Sequence, residues 1–412
     1  MTDEAFIAQN RDADVRALAL GKAPEGIDLH FCLSQIAGWQ AARRKLPSWA
    51  RTDGIIYPVR LSMEQCSSEQ TALYKQRLVE RLLPEKRRVM ADLTGGFGID
   101  FSFLAKSFKE ADYVERDERL CEIACHNLPL LGLPKARIHN MPCEEFLDGM
   151  GDFCFIYLDP SRRDAEGRKV VALNDCSPDM EALQEKLLDH TPVVMVKLSP
   201  MLDIQDSLRR LGHVSEVHVI SVGGECKEVL LVLCRQKESI RYYCSNITTA
   251  VQTFCAEGRD GEPTIAPLPE RFLYEPNASI MKAGVQNALC QKYGVRKLHP
   301  FSHLFTSAHF IEDFPGRSFL IEDYCRFAKR DLKRMLEGIS QCNLTVRNFP
   351  TTVAELRKRL KLREGGDCYL FATTLCDGSH ALLRCKQQFT VKRKNRNNQN
   401  HQSNQNNVSK DI

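Results

Sequence analysis

Val89-Met90-Ala91-Asp92-Leu93-Thr94-Gly95-Gly96-Phe97-Gly98-Ile99-Asp100 is a short apolar run that breaks into glycines and resumes as an apolar, helix-forming segment. Strand, glycine-rich turn and helix in that order predict a doubly wound α/β sheet whose ligand sits outside the carboxyl ends of the strands. The same residues can also be a tight turn that serves only the fold, so the neighbouring segments have to decide. A dinucleotide turn is excluded by spacing. Gly96-x-Gly98 is followed, where a third glycine belongs, by Phe101, whose ring would obstruct close helix–strand packing.

Outward from that turn, strand and helix patterns alternate, which implies a parallel sheet. Strand 89–93 is followed by a helix over 99–108. Strand 112–115 ends in Glu115, roughly 20 residues after the turn, the distance at which an acid accepts hydrogen bonds from ribose hydroxyls. A helix over 118–127 carries Asn127 late, and a short strand over 136–139 leads into a loop with Pro142, Cys143 and Glu144. Strand 153–158 is continuously apolar, as a strand buried on both faces should be, and ends in Asp159-Pro160-Ser161-Arg162-Arg163-Asp164. Strand 193–198 places Lys197 near its ligand end, facing substrate or snorkelling. Strands 216–222 and 229–234 close the sheet as a hairpin.

Asp92 with Gly95, Gly96 and Gly98 resembles the first motif of class I S-adenosylmethionine-dependent methyltransferases. The resemblance implies that Asp92, Thr94, Gly95, Gly96, Gly98 and Glu115 bind the methyl donor. The acid that usually holds the adenine amino group is replaced by Pro142, which leaves Cys143 and Glu144. Asp159-Pro160 resembles half of the Asp/Asn-Pro-Pro-aromatic motif of enzymes that methylate amino nitrogens, with Arg162 where the aromatic stands; Asp-Pro-x-Arg also resembles a variant among RNA methyltransferases. Asp159 and Pro160 are then the catalytic pair, with Arg162, Arg163 and Lys197 on the substrate. The two arginines could equally pair with Asp100, Asp164 or Glu166. Methylating a pyrimidine carbon needs a cysteine nucleophile, and the loops after the fourth and fifth strands offer none, so nitrogen or ribose oxygen is the expected acceptor.

The 412 residues predict two or three domains, and 43% hydrophobic with 27% charged residues is a soluble composition. No apolar run reaches a membrane span and the first residues are acidic, so a cytoplasmic protein is expected. The 17 cysteines contain no C-x-x-C pair and read as reduced, mostly buried residues. Cys121, Cys125 and His126, or His299, His303 and His309, are too few converging ligands, and no metal is expected. The net charge of +4 is uneven. Arg326, Lys329, Arg330, Lys333 and Arg334 crowd one predicted helix, and Arg357, Lys358, Arg359, Lys361 and Arg363 another; these are solvated faces or RNA contacts.

Residues 1–83 read as a helical region, with a helix over 28–45 and another opened by a Ser67–Gln70 capping box and stopped at Pro84. This region covers the cofactor, binds substrate, or only packs. Past 240, strands near 240–243, 304–310 and 318–322 surround a helix over 277–293. Strand 343–348, helix 351–361, strand 367–375, a turn at Asp377-Gly378 and strand 380–387 make a small α+β unit.

The order of 62–69, 92–100, Leu158 to Arg163, Lys197 to Pro200 and Tyr274 to Ala278 is similar to that of bacterial methyltransferases with a THUMP-like C-terminal domain, known from Bacteroides-type bacteria. That resemblance implies a helical region at 1–83, a Rossmann-like class I core at 84–237, a ferredoxin-like α+β domain at 238–322 and a THUMP-like domain at 323–390. The Asn/Gln-rich tail at 391–412 cannot form a core. The function implied is methylation of a base nitrogen in structured RNA, tRNA or rRNA, with S-adenosylmethionine as cofactor. Two alternatives stand beside it: a methyltransferase of a protein or small molecule, and a non-catalytic RNA-binding protein, the latter raised by Pro142 and Arg162.

Overall fold

The computed structural model describes residues 1–22, 24–58, 63, 66–85, 87–161, 173, 176–236, 239–259 and 261–388. The described residues divide into two compact units, Met1–Val217 with 228–236, and His218–Lys227 with 239–388.

The first unit opens with α1 (Asp3–Gln9), α2 (Val15–Ala19), α3 (Leu29–Lys45) and α4 (Pro47–Ala50). Thr2, Asp14 and Asp28 each accept a backbone N–H of the helix they start, and Arg43, Arg44 and Lys45 close α3 where its carbonyls lack partners. Helix α5 (Glu69–Leu82) starts one residue later than expected: Ser68 and Thr71 form the capping box, not Ser67 and Gln70. Ser67 is turned inward instead, donating to Asp100 at 2.7 Å.

The sheet has the expected parallel core. Strands β1 (Val89–Asp92), β2 (Glu110–Glu115), β3 (Arg137–Asn140), β4 (Phe155–Leu158) and β5 (Val194–Leu198) run parallel, and β6 (Val214–Val222) with β7 (Glu225–Leu233) form the closing hairpin. Their order is β3-β2-β1-β4-β5-β7-β6, with β7 antiparallel to β5. The hairpin tip, 218–227, belongs to the second unit. Helices α6 (Ile99–Leu104), α7 (Glu118–Leu130), α8 (Cys143–Gly149), α9 (Met180–His190) and α10 (Ile204–Arg210) make the crossovers. The helix expected over 99–108 is α6 followed by a 3-10 turn, Ala105–Ser107. The chain winds outward from β1 to β3 and then returns to the other side of β1, so the topological switch lies between β1 and β4.

The N-terminal helices are fastened to this core by amide side chains. Asn127 on α7 accepts from Ile56 N–H at 2.9 Å and donates to Ile56 C=O at 2.8 Å, and Gln35 on α3 does the same for Tyr57 at 2.8 and 3.0 Å. The extended segment at 56–57 is thus bonded by two side chains as a neighbouring strand would bond it. Phe97 of the glycine turn packs against Trp49 and Tyr57, at ring separations of 4.9 and 6.4 Å.

In the second unit β8 (Arg241–Ile247) and β9 (Val251–Glu257) form a hairpin. A seven-stranded sheet follows, β11-β12-β10-β13-β16-β15-β14, made of β10 (Phe272–Pro276), β11 (Arg296–Lys297), β12 (Phe305–Ser307), β13 (Gly316–Arg326), β14 (Gln341–Arg347), β15 (Arg363–Thr374) and β16 (His380–Gln388). The single helix expected over 277–293 is two, α11 (Ala278–Ala283) and α12 (Ala288–Tyr293), because Gly284 takes a left-handed φ of 73° and caps the first. Helices α13 (Lys329–Met335) and α14 (Val353–Leu360) bury Leu332, Met335 and Leu356 in a core with Leu344, Leu370 and Leu382. Two of the expected helical cations lie off α14: Lys361 is its left-handed cap and Arg363 opens β15.

Candidate active site

Asp92, Glu115 and Asp159 stand at the carboxyl ends of β1, β2 and β4, which run parallel and therefore finish on one edge, at the switch point. Asp92 is 1% exposed and accepts the Thr94 N–H at 3.0 Å. Burial drives its carboxyl well above the ordinary 3.8, opposed by the Thr94 N–H and reinforced by Asp100, Asp159 and Glu115. Thr94 Oγ1 accepts the Asp159 N–H at 2.6 Å and so ties the ends of β1 and β4 together. Glu115 accepts Gly96 N–H at 2.8 Å on one oxygen and Asp117 N–H at 2.9 Å on the other, which fixes the glycine turn to β2 and leaves each oxygen a further lone pair.

The turn is closed on one side and open on the other. A Cβ on Gly95 would lie 2.2 Å from Tyr113 Cε2, whereas one on Gly96 would meet nothing nearer than 3.8 Å. Gly96 and Gly98 hold φ of 54° and 83°, which any side chain would strain. Phe101, where a dinucleotide turn needs glycine, is fully buried and meets Tyr113 edge-on at 5.5 Å. Open backbone ringed by strand-end acids fits a cationic ligand with hydroxyl groups; the neighbouring N–H donors are already engaged.

Behind the acids lies a buried ionic cluster that the sequence reading did not anticipate. Lys197 donates to Asp159 Oδ2 at 2.5 Å and stands 3.5 Å from Asp100. Lys75, on α5, pairs with Asp100 at 3.0 Å and with Glu228 on β7. Ser67 Oγ accepts from both lysines, at 3.0 and 3.2 Å, while donating to Asp100, and Tyr157 also donates to Asp100 at 2.7 Å. Burial works against the Asp100 charge, yet Lys75 and Lys197 hold its carboxyl down at about 2. At Asp159, whose side chain is 39% exposed, partial desolvation still raises the carboxyl, with Lys197 pulling the other way. One local signal pointed at this cluster: Lys75 sits on the same stripe as the buried Thr71, Ala72, Leu78 and Val79, where a solvated lysine does not belong.

Other expected residues fall as follows. Pro160 is buried, and Ser161 exchanges two backbone hydrogen bonds with Ser177, at 2.8 and 3.0 Å. Arg162 and Arg163 lie outside the described residues, as does the tail at 391–412. Pro142 precedes α8; Cys143 is buried, its thiol pushed up to about 12 by burial and by Glu144, and Glu144 is exposed. Cys66 contributes a thiol near Lys197 and Asp100, but burial raises it and it bonds Met63 C=O at 3.2 Å. Cys121 bonds Glu115 C=O, His126 bonds Gly54 C=O, His299 meets Asn348 and His303 meets Gln286. Among the described residues no group of three metal-ligating side chains converges, and no helix is long and apolar enough to cross a membrane. A cleft of about 370 Å³ opens at the opposite edge of the sheet, lined by Lys106, Lys109, Ala111 and Ala136; it holds none of the strand-end acids.

A doubly wound α/β sheet with an acid edge, followed by a second α+β unit, defines the class of protein: a Rossmann-like core with an appended module. Residues 272–315 match a ferredoxin-like domain family and 316–387 a THUMP domain-like family. The solved structure of a candidate methyltransferase from Porphyromonas gingivalis W83 is 32% identical, covers 93% of this chain and 97% of its own, and superposes with a TM-score of 0.82. The chain belongs to that family, the bacterial methyltransferases with a THUMP-like C-terminal domain. A candidate RNA methyltransferase from Pyrococcus horikoshii (15% identity, 45% of this chain, 94% of that one, TM-score 0.32) and an rRNA methylase from Streptococcus thermophilus (14%, 40%, 95%, 0.31) are far more distant, and nothing about this chain's chemistry follows from either. Comparison with curated proteins gives no match.

Proposed function

We propose that the protein is a cytoplasmic S-adenosylmethionine-dependent methyltransferase acting on a base nitrogen of structured RNA, tRNA or rRNA. The observation that supports it most is the trio Asp92, Glu115 and Asp159 around a turn whose backbone is open at Gly96. Bound there, S-adenosylmethionine supplies an electrophilic methyl group on a sulfonium, and a cation suits an edge built of carboxylates. Asp92, Thr94, Gly95, Gly96 and Gly98 would hold the donor, Glu115 its ribose through the unused lone pairs, and Cys143 with Glu144 the adenine side. Asp159 and the Pro160 carbonyl would accept N–H bonds from the target amine and so fix the direction of its lone pair, making rate a matter of alignment. Lys197 would act on substrate through Asp159. The RNA would be held as phosphate, by Arg162 and Arg163 near the site and by the exposed Lys329, Arg330, Lys333, Arg334, Lys358 and Arg359 of the THUMP-like unit.

Titration calorimetry with S-adenosylmethionine tests the cofactor: wild type binds, and Asp92→Ala with Glu115→Ala weakens binding at least tenfold. Absence of wild-type binding removes the assignment. Mass spectrometry of nucleosides from a deletion strain and its parent tests the substrate, and an unchanged nucleoside set removes RNA.

A further inference from the structure

Lys75 is fully buried, a position an ammonium tolerates only with charged partners. Following its partners traces one path: Glu228, Lys75, Asp100, Lys197, Asp159, alternating in sign across β7, α5, α6, β5 and the residue after β4. The path has a direction. Side-chain exposure is 6% at Glu228, 0% at Lys75, about 10% at Asp100 and Lys197, and 39% at Asp159, so the chain starts in the core and surfaces at the strand edge. Buried ion pairs are no better for stability than apolar residues of the same volume, which leaves an ordered chain of five unexplained by folding alone.

Lys197 is the divided member. It faces two carboxylates, Asp159 at 2.5 Å and Asp100 at 3.5 Å, and how far it leans toward each depends on what else neutralises Asp100. That is done by Lys75 with the hydroxyls of Ser67 and Tyr157. We propose that Lys75, anchored by Glu228, is a positioning residue for Asp159: by satisfying Asp100 it leaves the Lys197 ammonium on Asp159 Oδ2 and keeps Oδ1 as the free acceptor at the site. Without Lys75, Asp100 draws Lys197 inward and Asp159 loses its clamp. The inference rests on the reading of Asp159 as the group that presents the acceptor, and adds to it a residue on α5 that no spacing in the sequence ties to the site.

The test uses full-length protein carrying Lys75→Met with Glu228→Gln, which removes one charge of each sign, with circular dichroism to confirm the fold. Aspartate carboxyl carbons labelled with carbon-13 are titrated by NMR, and Asp159→Asn identifies the signal. The Asp159 midpoint should rise by roughly one pH unit or more. Asp100→Asn in the wild-type background measures the direct repulsion of Asp159 by Asp100; added to the double variant it should lower the midpoint further than that, because the acid that competes for Lys197 is gone, and equal lowering in both backgrounds overturns the inference. An unchanged midpoint, or a rise that Asp100→Asn leaves in place, overturns the inference. If the double variant loses its fold, Tyr157→Phe decides: it removes a neutral donor from Asp100 and alters no charge, so the Asp159 midpoint must rise as Lys197 is drawn toward Asp100, and an unchanged or lowered midpoint overturns the inference. Wild-type calorimetry with S-adenosylmethionine separates the two readings. Coupling without binding removes the methyl-donor function and leaves the clamp, whereas binding without coupling removes only the clamp.

Discussion

The ring of Tyr113 fills the space where a Gly95 side chain would begin, with Cε2 2.2 Å from the Cβ position, and its hydroxyl donates to the Gly96 carbonyl. A residue of β2, two before Glu115, therefore braces the glycine turn from beneath. Gly95→Ala has to displace either the ring or the turn, and overpacking of this kind costs about 1–3 kcal/mol. Urea denaturation should show that loss. Tyr113→Phe keeps the ring and removes one hydrogen bond, so its loss should be smaller, about 0.5–1.5 kcal/mol. A Gly95→Ala protein as stable as wild type would mean that the turn is not braced.

Asn127 is the second fastening. It is 1% exposed and bonds both backbone groups of Ile56, so Asn127→Leu leaves a half-buried N–H and C=O without their partner. An unsatisfied buried polar group costs about 1–3 kcal/mol. The loss should appear as a lower denaturant midpoint, with limited proteolysis cutting earlier in the first 58 residues than anywhere else. Uniform cleavage along the chain would contradict a specific clasp.

What the sequence disclosed is what short spacing encodes. The turn at Gly95 to Gly98, the acid of Glu115, the apolar strand before Asp159 and the closing hairpin are each local patterns, and the structure has all of them. The ionic cluster is not local: Ser67 and Lys75 meet Asp100, Lys197 and Glu228 only after the sheet has formed, and in a charged helix Lys75 looks like one more solvated lysine until its place on the apolar stripe is noticed. The Ser67–Gln70 box failed for the same reason. Ser67 and Ser68 are equivalent caps locally, and a tertiary partner, Asp100, takes the first of them. The helix over 277–293 broke at Gly284, whose left-handed φ suits a cap better than a helix interior.

Asp92 makes a pH prediction. Its folded carboxyl is raised, chiefly by burial, so above the ordinary 3.8 the folded state keeps a proton that the unfolded chain releases. Stability contributed by this group therefore falls as pH rises, by about 1.4 kcal/mol for each unit of elevation spanned. Asn at this position retains the acceptor for Thr94 N–H and has no proton to lose. Asp92→Asn and wild type should have similar urea midpoints near pH 4, and the variant should gain the advantage as pH rises to 8. Parallel pH profiles would show that Asp92 ionises in the folded protein as easily as in the unfolded one.

His303 carries the opposite sign. Burial, with Lys297 and Arg347 adding to it, lowers its imidazole from 6.5 to about 4, and Gln286 donates to its Nδ1, which a neutral ring can accept and an imidazolium cannot. Between those two values the unfolded chain takes up a proton that the folded unit refuses. Stability from this group is thus whole above pH 6.5 and is lost as pH falls toward 4; a fully shielded ring would lose about 3.4 kcal/mol, and because this one is half exposed, solvent screening leaves roughly 1–2 kcal/mol. His303→Gln should remove that acid-side loss, read as a urea midpoint that changes less than wild type between pH 7 and pH 4.5. The comparison belongs in the full-length protein with the transition of the second unit followed by hydrogen exchange of peptides from 261–388, since both tryptophans, Trp39 and Trp49, report on the first and tyrosines lie in both. An unaltered acid limb in His303→Gln would place the titrating group elsewhere.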